Sequence, residues 1–234
     1  MAGVRYCPRH KRGKLVMNAT VAQPVHFGLQ SVPCARAINN RNVAVRLADN
    51  VKGRGVFAIR DHLPGEVVLI GLIESLADRR TNHSIQLDWN VHANFEEPAS
   101  LINHSCLPNT FVSPNRFGAY DFIALRAIAS GEELSFDYAT TEYESIAVPN
   151  CACGSPACRG SSGGFSVLDS THELTAYGFI APYLLRGTPT SNLVLQGDFD
   201  ITPTGVPWPP QANIAARWIA FQQQTGSTAS NGQI

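Results

Sequence analysis

Three cysteines fall within eight residues, Cys151-Ala-Cys153-Gly-Ser-Pro-Ala-Cys158. Thiolates so spaced can share one metal ion. A fourth sulfur would complete the tetrahedral shell that zinc favours, with Zn–S distances of about 2.3 Å. Upstream, Asn103-His104-Ser105-Cys106-Leu107-Pro108-Asn109 gathers an amide, an imidazole, a thiol and a second amide around a proline. By itself that run reads as a polar loop or an Asn-His-Ser glycosylation sequon. Lys52-Gly53-Arg54-Gly55-Val56-Phe57 sets two glycines one residue apart. Such a pair lets backbone approach a ligand closely, although alone it reads as a turn between strands. Gly131-Glu132-Glu133-Leu134-Ser135-Phe136-Asp137-Tyr138, taken as a strand, sends Leu134, Phe136 and Tyr138 to one face, and alone it reads as core. Cys7 and His10 have no nearby pair and read as ordinary residues.

The elements that must position these groups are short and extended. Asn42-Val-Ala-Val-Arg-Leu alternates as a first strand, and the two-glycine turn interrupts and resumes it. Leu63-Pro-Gly-Glu marks a further turn before a strand at Val67–Ile70. Ser84-Ile-Gln-Leu-Asp-Trp alternates again, and Phe122-Ile-Ala-Leu, Arg126-Ala-Ile and Leu134-Ser-Phe extend the pattern. One helix is expected near Ser170-Thr-His-Glu173, whose Ser and Glu fit a capping box, with Leu174 and Tyr177 on one side. Residues 187–234, rich in Thr, Pro, Gly and Gln, read as a loose tail with a short docked helix around Ile214 to Phe221. The expected class is mainly β, with few helices.

A chain of 234 residues can bury one good core but not two full domains. No run approaches the roughly 20 apolar residues of a membrane-spanning helix, so no membrane partner is expected. Net charge is zero, which implies no general attraction to nucleic acid. No acidic residue precedes Asp49, whereas Arg5, Arg9, Lys11, Arg12, Lys14, Arg36, Arg41 and Arg46 are basic. Residues 1–42 therefore read as a basic, solvated extension; an organelle or nuclear address is the alternative. With no secretory or twin-arginine signal, the expected location is intracellular, in cytoplasm or nucleus, where clustered thiols hold metals more often than disulfides.

In order over residues 43–160, the four chemical segments resemble the SET-domain methyltransferase family with its post-SET zinc module. The resemblance implies small curved β-sheets with a pseudoknot, in which the Asn103–Asn109 segment threads beneath a loop, followed by the zinc segment and a short C-terminal helical region. It divides the chain into the extension, a SET domain at 43–139, a linker, zinc module and helix at 140–186, and the tail at 187–234. It implies S-adenosylmethionine as methyl donor, held by Lys52, Gly53, Arg54, Gly55, Asn103, His104 and Tyr138. Cys106 becomes the fourth ligand of a structural zinc with Cys151, Cys153 and Cys158. Tyr138 matches the catalytic tyrosine. Phe136 matches the position that sets how many methyls are added, Phe leaving room for two or three. Asp137, Glu132 and Glu133 read as structural.

Two departures bear on the acceptor. The N-terminal segment carries no cysteine-rich module, and the insert from Leu72 to Leu101 is compact. Aligning Asn82–Asp88 with the family's insert strand puts His83 where a tyrosine usually lines the lysine channel. Asp137-Tyr138-Ala-Thr-Thr-Glu142 and Gly164-Phe165 also resemble a compact subgroup in which small-molecule methylation occurs. The expected acceptor is a protein lysine; the alternatives are a small-molecule carboxylate or amine, which His83 could orient, and a non-catalytic interaction module.

Overall fold

A computed structural model of the chain describes residues 31–168, 172–176 and 178–185. The first element is a helix, α1 (Val32–Asn42), with Ser31 at its N-cap and a proline in its first turn. These residues belong to the expected extension, yet they pack on the core. The face α1 buries is Ala35, Asn39 and Asn42, so an apolar period is missing where a polar one is present. It is followed by β1 (Val43–Asp49) and β2 (Gly53–Ala58), an antiparallel pair joined by a turn at 50–52; Gly53 and Gly55, expected in that turn, instead open β2 and pair with Asp49 and Arg46. Then come β3 (Val67–Ile70), β4 (Ile73–Leu76), β5 (Ser84–Asp88) and β6 (Val91–Phe95). β7 (Asn103–His104), β8 (Thr110–Pro114), β9 (Tyr120–Ala124) and β10 (Ser135–Phe136) complete the strands. The expected mainly β class holds, as four small sheets: β1-β2, β3-β9-β8, β4-β6-β5 and the parallel pair β7-β10.

β9 is buried along its whole length because it is the centre of its sheet. Its unbroken Tyr-Asp-Phe-Ile-Ala run is what two-sided burial selects. β3 is an edge, and α1 covers it. Asn39 Nδ2 donates to the Ile70 carbonyl at 2.8 Å, and the Ile70 N–H donates to Asn39 Oδ1 at 2.9 Å. Asn42 Nδ2 donates to the Val68 carbonyl at 2.9 Å. Two side-chain amides thus imitate the missing neighbouring strand, which satisfies an edge that would otherwise stay open.

Two short helices close the described chain, α2 (Glu173–Ala176) and α3 (Pro182–Leu185). α2 lies where the helix is expected; Ser170, Tyr177 and the whole of 187–234 fall outside the described residues. Leu174 and Phe179 join Phe111 and Ile123 in a side cluster. Ile180, Ala181, Tyr183 and Leu184 enter the main core with Val56, Leu69 and Phe122. The segment is tied down by Ala181 N–H to Thr140 O (2.7 Å) and by the Tyr183 hydroxyl to Thr141 O (2.6 Å). It therefore braces the residues just after Tyr138.

Asn39→Ala would strip both partners from buried Ile70. The expected loss is about 1–3 kcal/mol, read as a lower midpoint in chemical denaturation; an unchanged midpoint would show that α1 does not hold the β3 edge.

Candidate functional site

The turn after β7 carries Cys106 to the loop that holds Cys151, Cys153 and Cys158. The four sulfurs all lie within 4.8 Å of one another, and Cys106 Sγ is 3.9 Å from Cys151 Sγ. Thiolates about 2.3 Å from a shared zinc ion would stand about 3.8 Å apart, so the set fits a four-thiolate ion with no open position. Backbone N–H groups of Arg159 and Gly160 donate to Cys106 Sγ and Cys158 Sγ, each at 3.4 Å. Burial raises the thiols of Cys106 and Cys151, the latter to about 12. At Cys153 burial is outweighed by the N–H groups of Cys106 and Ser155, which hold the thiol near 6. Four thiols this close would ionise together only around a cation.

His104 stands directly behind this cluster. Its Nδ1 accepts the backbone N–H of Tyr138 at 3.2 Å, so the proton belongs on Nε2, 3.3 Å from Cys106 Sγ. Burial lowers the imidazole to about 4, against the pull of Asp137 and helped by Arg159. The ring is therefore neutral, which its accepting Nδ1 requires. Asp137 is buried; its Oδ1 accepts from Arg159 Nη2 (2.7 Å) and from the N–H of Ala139 (3.0 Å). That second bond caps a short 3-10 turn, Tyr138–Thr140. The expected strand face of Leu134, Phe136 and Tyr138 is thus corrected: β10 ends at Phe136, and Asp137 turns the chain before Tyr138.

On the other side of β7 lies the start of β2 with its two glycines. Gly53 takes φ +73°, a region that favours glycine. A Cβ on Gly55 would fall 2.7 Å from Glu133 Oε1 and 2.9 Å from Asn103 Nδ2. Asn103 Nδ2 donates to Glu133 Oε1 (2.8 Å) and to the Arg54 carbonyl (3.2 Å), and Lys52 Nζ pairs with Glu133. The Arg54 guanidinium is exposed and pairs with Glu97 at 2.8 Å. An ammonium, a carboxylate and an amide beside bare backbone offer partners of both signs, which suits the zwitterionic methionine end of S-adenosylmethionine.

Ile102, the residue before Asn103, joins this cradle to a cleft lined by Ile85, Ile102, Phe136, Tyr138 and Glu142. The Tyr138 hydroxyl donates to the Ile102 carbonyl at 2.8 Å. Burial, with the charges of Glu142 and Glu133, raises the phenol well above its ordinary value. Phe136 is buried, its ring 4.8 Å from that of Tyr138 and 5.2 Å from that of Phe122. His83 is exposed, so its place in the lining is at the rim, before β5 begins. Sequence reasoning gives no role to Glu142, Gln86 or Arg159. Glu142 is visible only as the end of the Thr-Thr-Glu run, and Arg159 as the residue after Cys158.

Residues 53–139 match the model of the SET domain family. The chain therefore contains a SET domain, as its four segments imply. It is 30% identical over 186 residues to human histone-lysine N-methyltransferase EHMT1, covering 67% of this chain and 14% of that protein. It is 38% identical over 79 residues to the H3 lysine-36 specific histone-lysine N-methyltransferase of Schizosaccharomyces pombe, covering 32% of this chain and 10% of that one. The chain thus spans a small part of the length of these relatives. A chain in the crystal structure of KRYPTONITE in complex with mCHG DNA and SAH overlays with a TM-score of 0.40 at 24% identity, over 49% of this chain and 27% of that chain. No helix among the described residues is long and apolar enough to cross a membrane.

The sulfur cluster predicts about one zinc ion per chain by metal analysis. Cys106→Ser should lower that content and also lower the melting temperature, because the same sulfur receives His104 and Arg159. Metal-free protein with an unchanged melting temperature would remove zinc from the fold.

Proposed function

We propose that this chain transfers methyl groups from S-adenosylmethionine to a lysine side chain of a protein, with the four cysteines holding one structural zinc. The observation that carries the reading is the cleft itself. Ile85, Ile102, Phe136 and Tyr138 are among its walls, the Tyr138 hydroxyl donates to the Ile102 carbonyl, and the next residue after Ile102 belongs to the cradle. A slender apolar chain threaded through such walls would bring its terminal nitrogen to the boundary between the two halves. Both named relatives are histone-lysine N-methyltransferases, which supports the same acceptor class and a nuclear site of action. Neither named relative points to the small-molecule or non-catalytic alternatives.

S-adenosylmethionine, when bound, supplies a methyl group on a sulfonium. The protein's own task is alignment. Lys52 and Asn103, with Glu133 beside them, would hold the amino-acid end, and Gly55 leaves the room they need. The Tyr138 O–H donates its hydrogen bond to the Ile102 carbonyl, so the phenol oxygen keeps lone pairs for weak CH···O contact with the methyl group. The raised phenol stays protonated, so this polarity is fixed. Preorganised oxygens cost no reorganisation at the moment of transfer. Phe136 carries no hydroxyl into the channel, which leaves space for a nitrogen that already bears a methyl.

A labelled-methyl assay on core histones tests the reading. Base-stable label in protein is expected, and label confined to small molecules would sink it. Tyr138→Phe should lose about 100-fold or more in kcat while keeping cofactor affinity; an unaltered kcat would exclude the phenol from the mechanism. Phe136→Tyr should stop the product at one methyl, as mass spectrometry of the modified histone would show. Trimethylated product from that variant would deny Phe136 its role.

A further inference from the structure

The same cleft holds a buried charge that the reaction as described does not use. Glu142 is 8% exposed and lines the cleft with Phe136 and Tyr138. One oxygen, Oε1, accepts the backbone N–H of Gln86 at 2.8 Å, which fixes the carboxyl against β5. The other, Oε2, has His92 Nε2 at 3.9 Å, beyond hydrogen-bond reach, and that nitrogen has no hydrogen-bond partner. His92 is itself kept neutral by burial, with Arg80 adding to the effect. The remaining titratable or charged groups that face Glu142 are Arg80 before β5, Tyr138 on its own turn and Tyr183 on α3. None of these makes an ion pair with it. Oε2 thus has no hydrogen bond within the protein yet keeps access to the cleft, and a carboxylate so nearly buried is unfavourable unless a cation completes it.

We propose that Glu142 is the acceptor-recognition group of the cleft: it pairs with the ammonium of the incoming amine and takes one of its protons. The inference rests on the amine-acceptor reading above. The balance is simple. The ammonium R–NH3+ and the Glu142 carboxylate become R–NH2 and a carboxylic acid. The nitrogen lone pair then forms the N–C bond as the S–C bond breaks, and S-adenosylhomocysteine leaves as a neutral thioether. The product ammonium carries the positive charge, and Glu142 returns its proton to solvent through the mouth of the cleft.

Two consequences follow from charge alone. An anionic acceptor would meet Glu142 as a like charge, so the cleft selects against carboxylates. Burial raises Glu142 to about 7, so it can both hold and release a proton near neutrality. Its ionised fraction grows as pH rises through that value, and the rate should grow with it.

The test uses n-butylammonium, the end of a lysine side chain, and n-butyrate, its anionic counterpart. Carbon-13 NMR of the cofactor-free protein follows the Glu142 carboxyl, assigned by its absence in Glu142→Gln. Butylammonium should lower the apparent pKa of Glu142 by about one unit or more, as a nearby opposite charge does. Glu142→Gln keeps an oxygen for the Gln86 N–H, so it should fold. On core histones it should lose about 100-fold in kcat/KM and the inflection near neutral pH. Butylammonium that moves Phe136 and Tyr138 signals but leaves Glu142 silent would overturn the proposal and leave the amine reading standing. Butyrate binding in place of butylammonium would overturn both. A folded Glu142→Gln with wild-type rate and pH profile would also overturn the proposal.

Discussion

The two hydrogen bonds of His104 join the sulfur cluster to the reactive turn. One ring nitrogen accepts the Tyr138 N–H and the other faces Cys106 Sγ. This works only if the ring is neutral with its proton on Nε2, because a charged imidazole has no acceptor to offer. Burial supplies most of that neutrality. Asp137, 3.6 Å from Nδ1, would pull the other way, but Arg159 engages the same carboxylate at 2.7 Å. Arg159 follows Cys158 directly, and its N–H reaches Cys106 Sγ. The zinc loop therefore touches the reactive turn twice, through an imidazole and through an ion pair. Closing four thiolates on one ion would fix both contacts together.

The strands that carry this arrangement are only two residues long. β7 and β10 pair in parallel, Asn103 opposite Ser135 and His104 opposite Phe136. So short a ladder has little strength of its own, and polar side chains extend it. Asn109 accepts from the Ser135 N–H and donates to the Glu133 carbonyl, both at 2.8 Å, and Thr110 Oγ1 donates to the Ser135 carbonyl at 2.8 Å. The second asparagine of the Asn-His-Ser-Cys run is thus scaffold, the first belongs to the cradle, and the histidine belongs to the metal side. Amides standing in for strand partners recur at α1, where Asn39 and Asn42 serve β3.

This habit decides what was legible in the sequence. The β class could be read, because β1, β3, β5 and β9 carry apolar runs or alternation. The clustered thiols could be read from spacing. Cys106 could not: it lies 45 residues before Cys151, and only the family resemblance joins them. α1 was hidden because its buried face is largely asparagine, and apolar periodicity is blind to a polar face that is satisfied by backbone. β4 and β6 were missed for a related reason, since Glu74, Ser75, His92 and Asn94 break any apolar pattern on short strands. Tyr138 was placed on a strand face because alternation extends through Asp137, whereas the Asp137 side chain caps a turn there. A cap and an alternating polar residue look alike in one dimension.

That turn also explains why the cleft's charge and its phenol come as a unit. The Glu142 N–H donates to the Tyr138 carbonyl at 2.9 Å, closing one helical turn between them. The turn starts at Asp137, which Arg159 holds from the zinc side, and it is braced behind by Ala181 and Tyr183 on the carbonyls of Thr140 and Thr141. Trp89 packs edge-on against Tyr143 and Tyr183 at 4.9 and 5.4 Å. A shift of the metal loop would therefore reach the backbone turn that carries both residues, while their side chains stay anchored separately, the hydroxyl on Ile102 and the carboxyl on Gln86. A zinc ion held by the four thiolates would then set the turn from which both proposed groups reach the cleft: an oxygen for the methyl group and a carboxylate for the nitrogen that receives it.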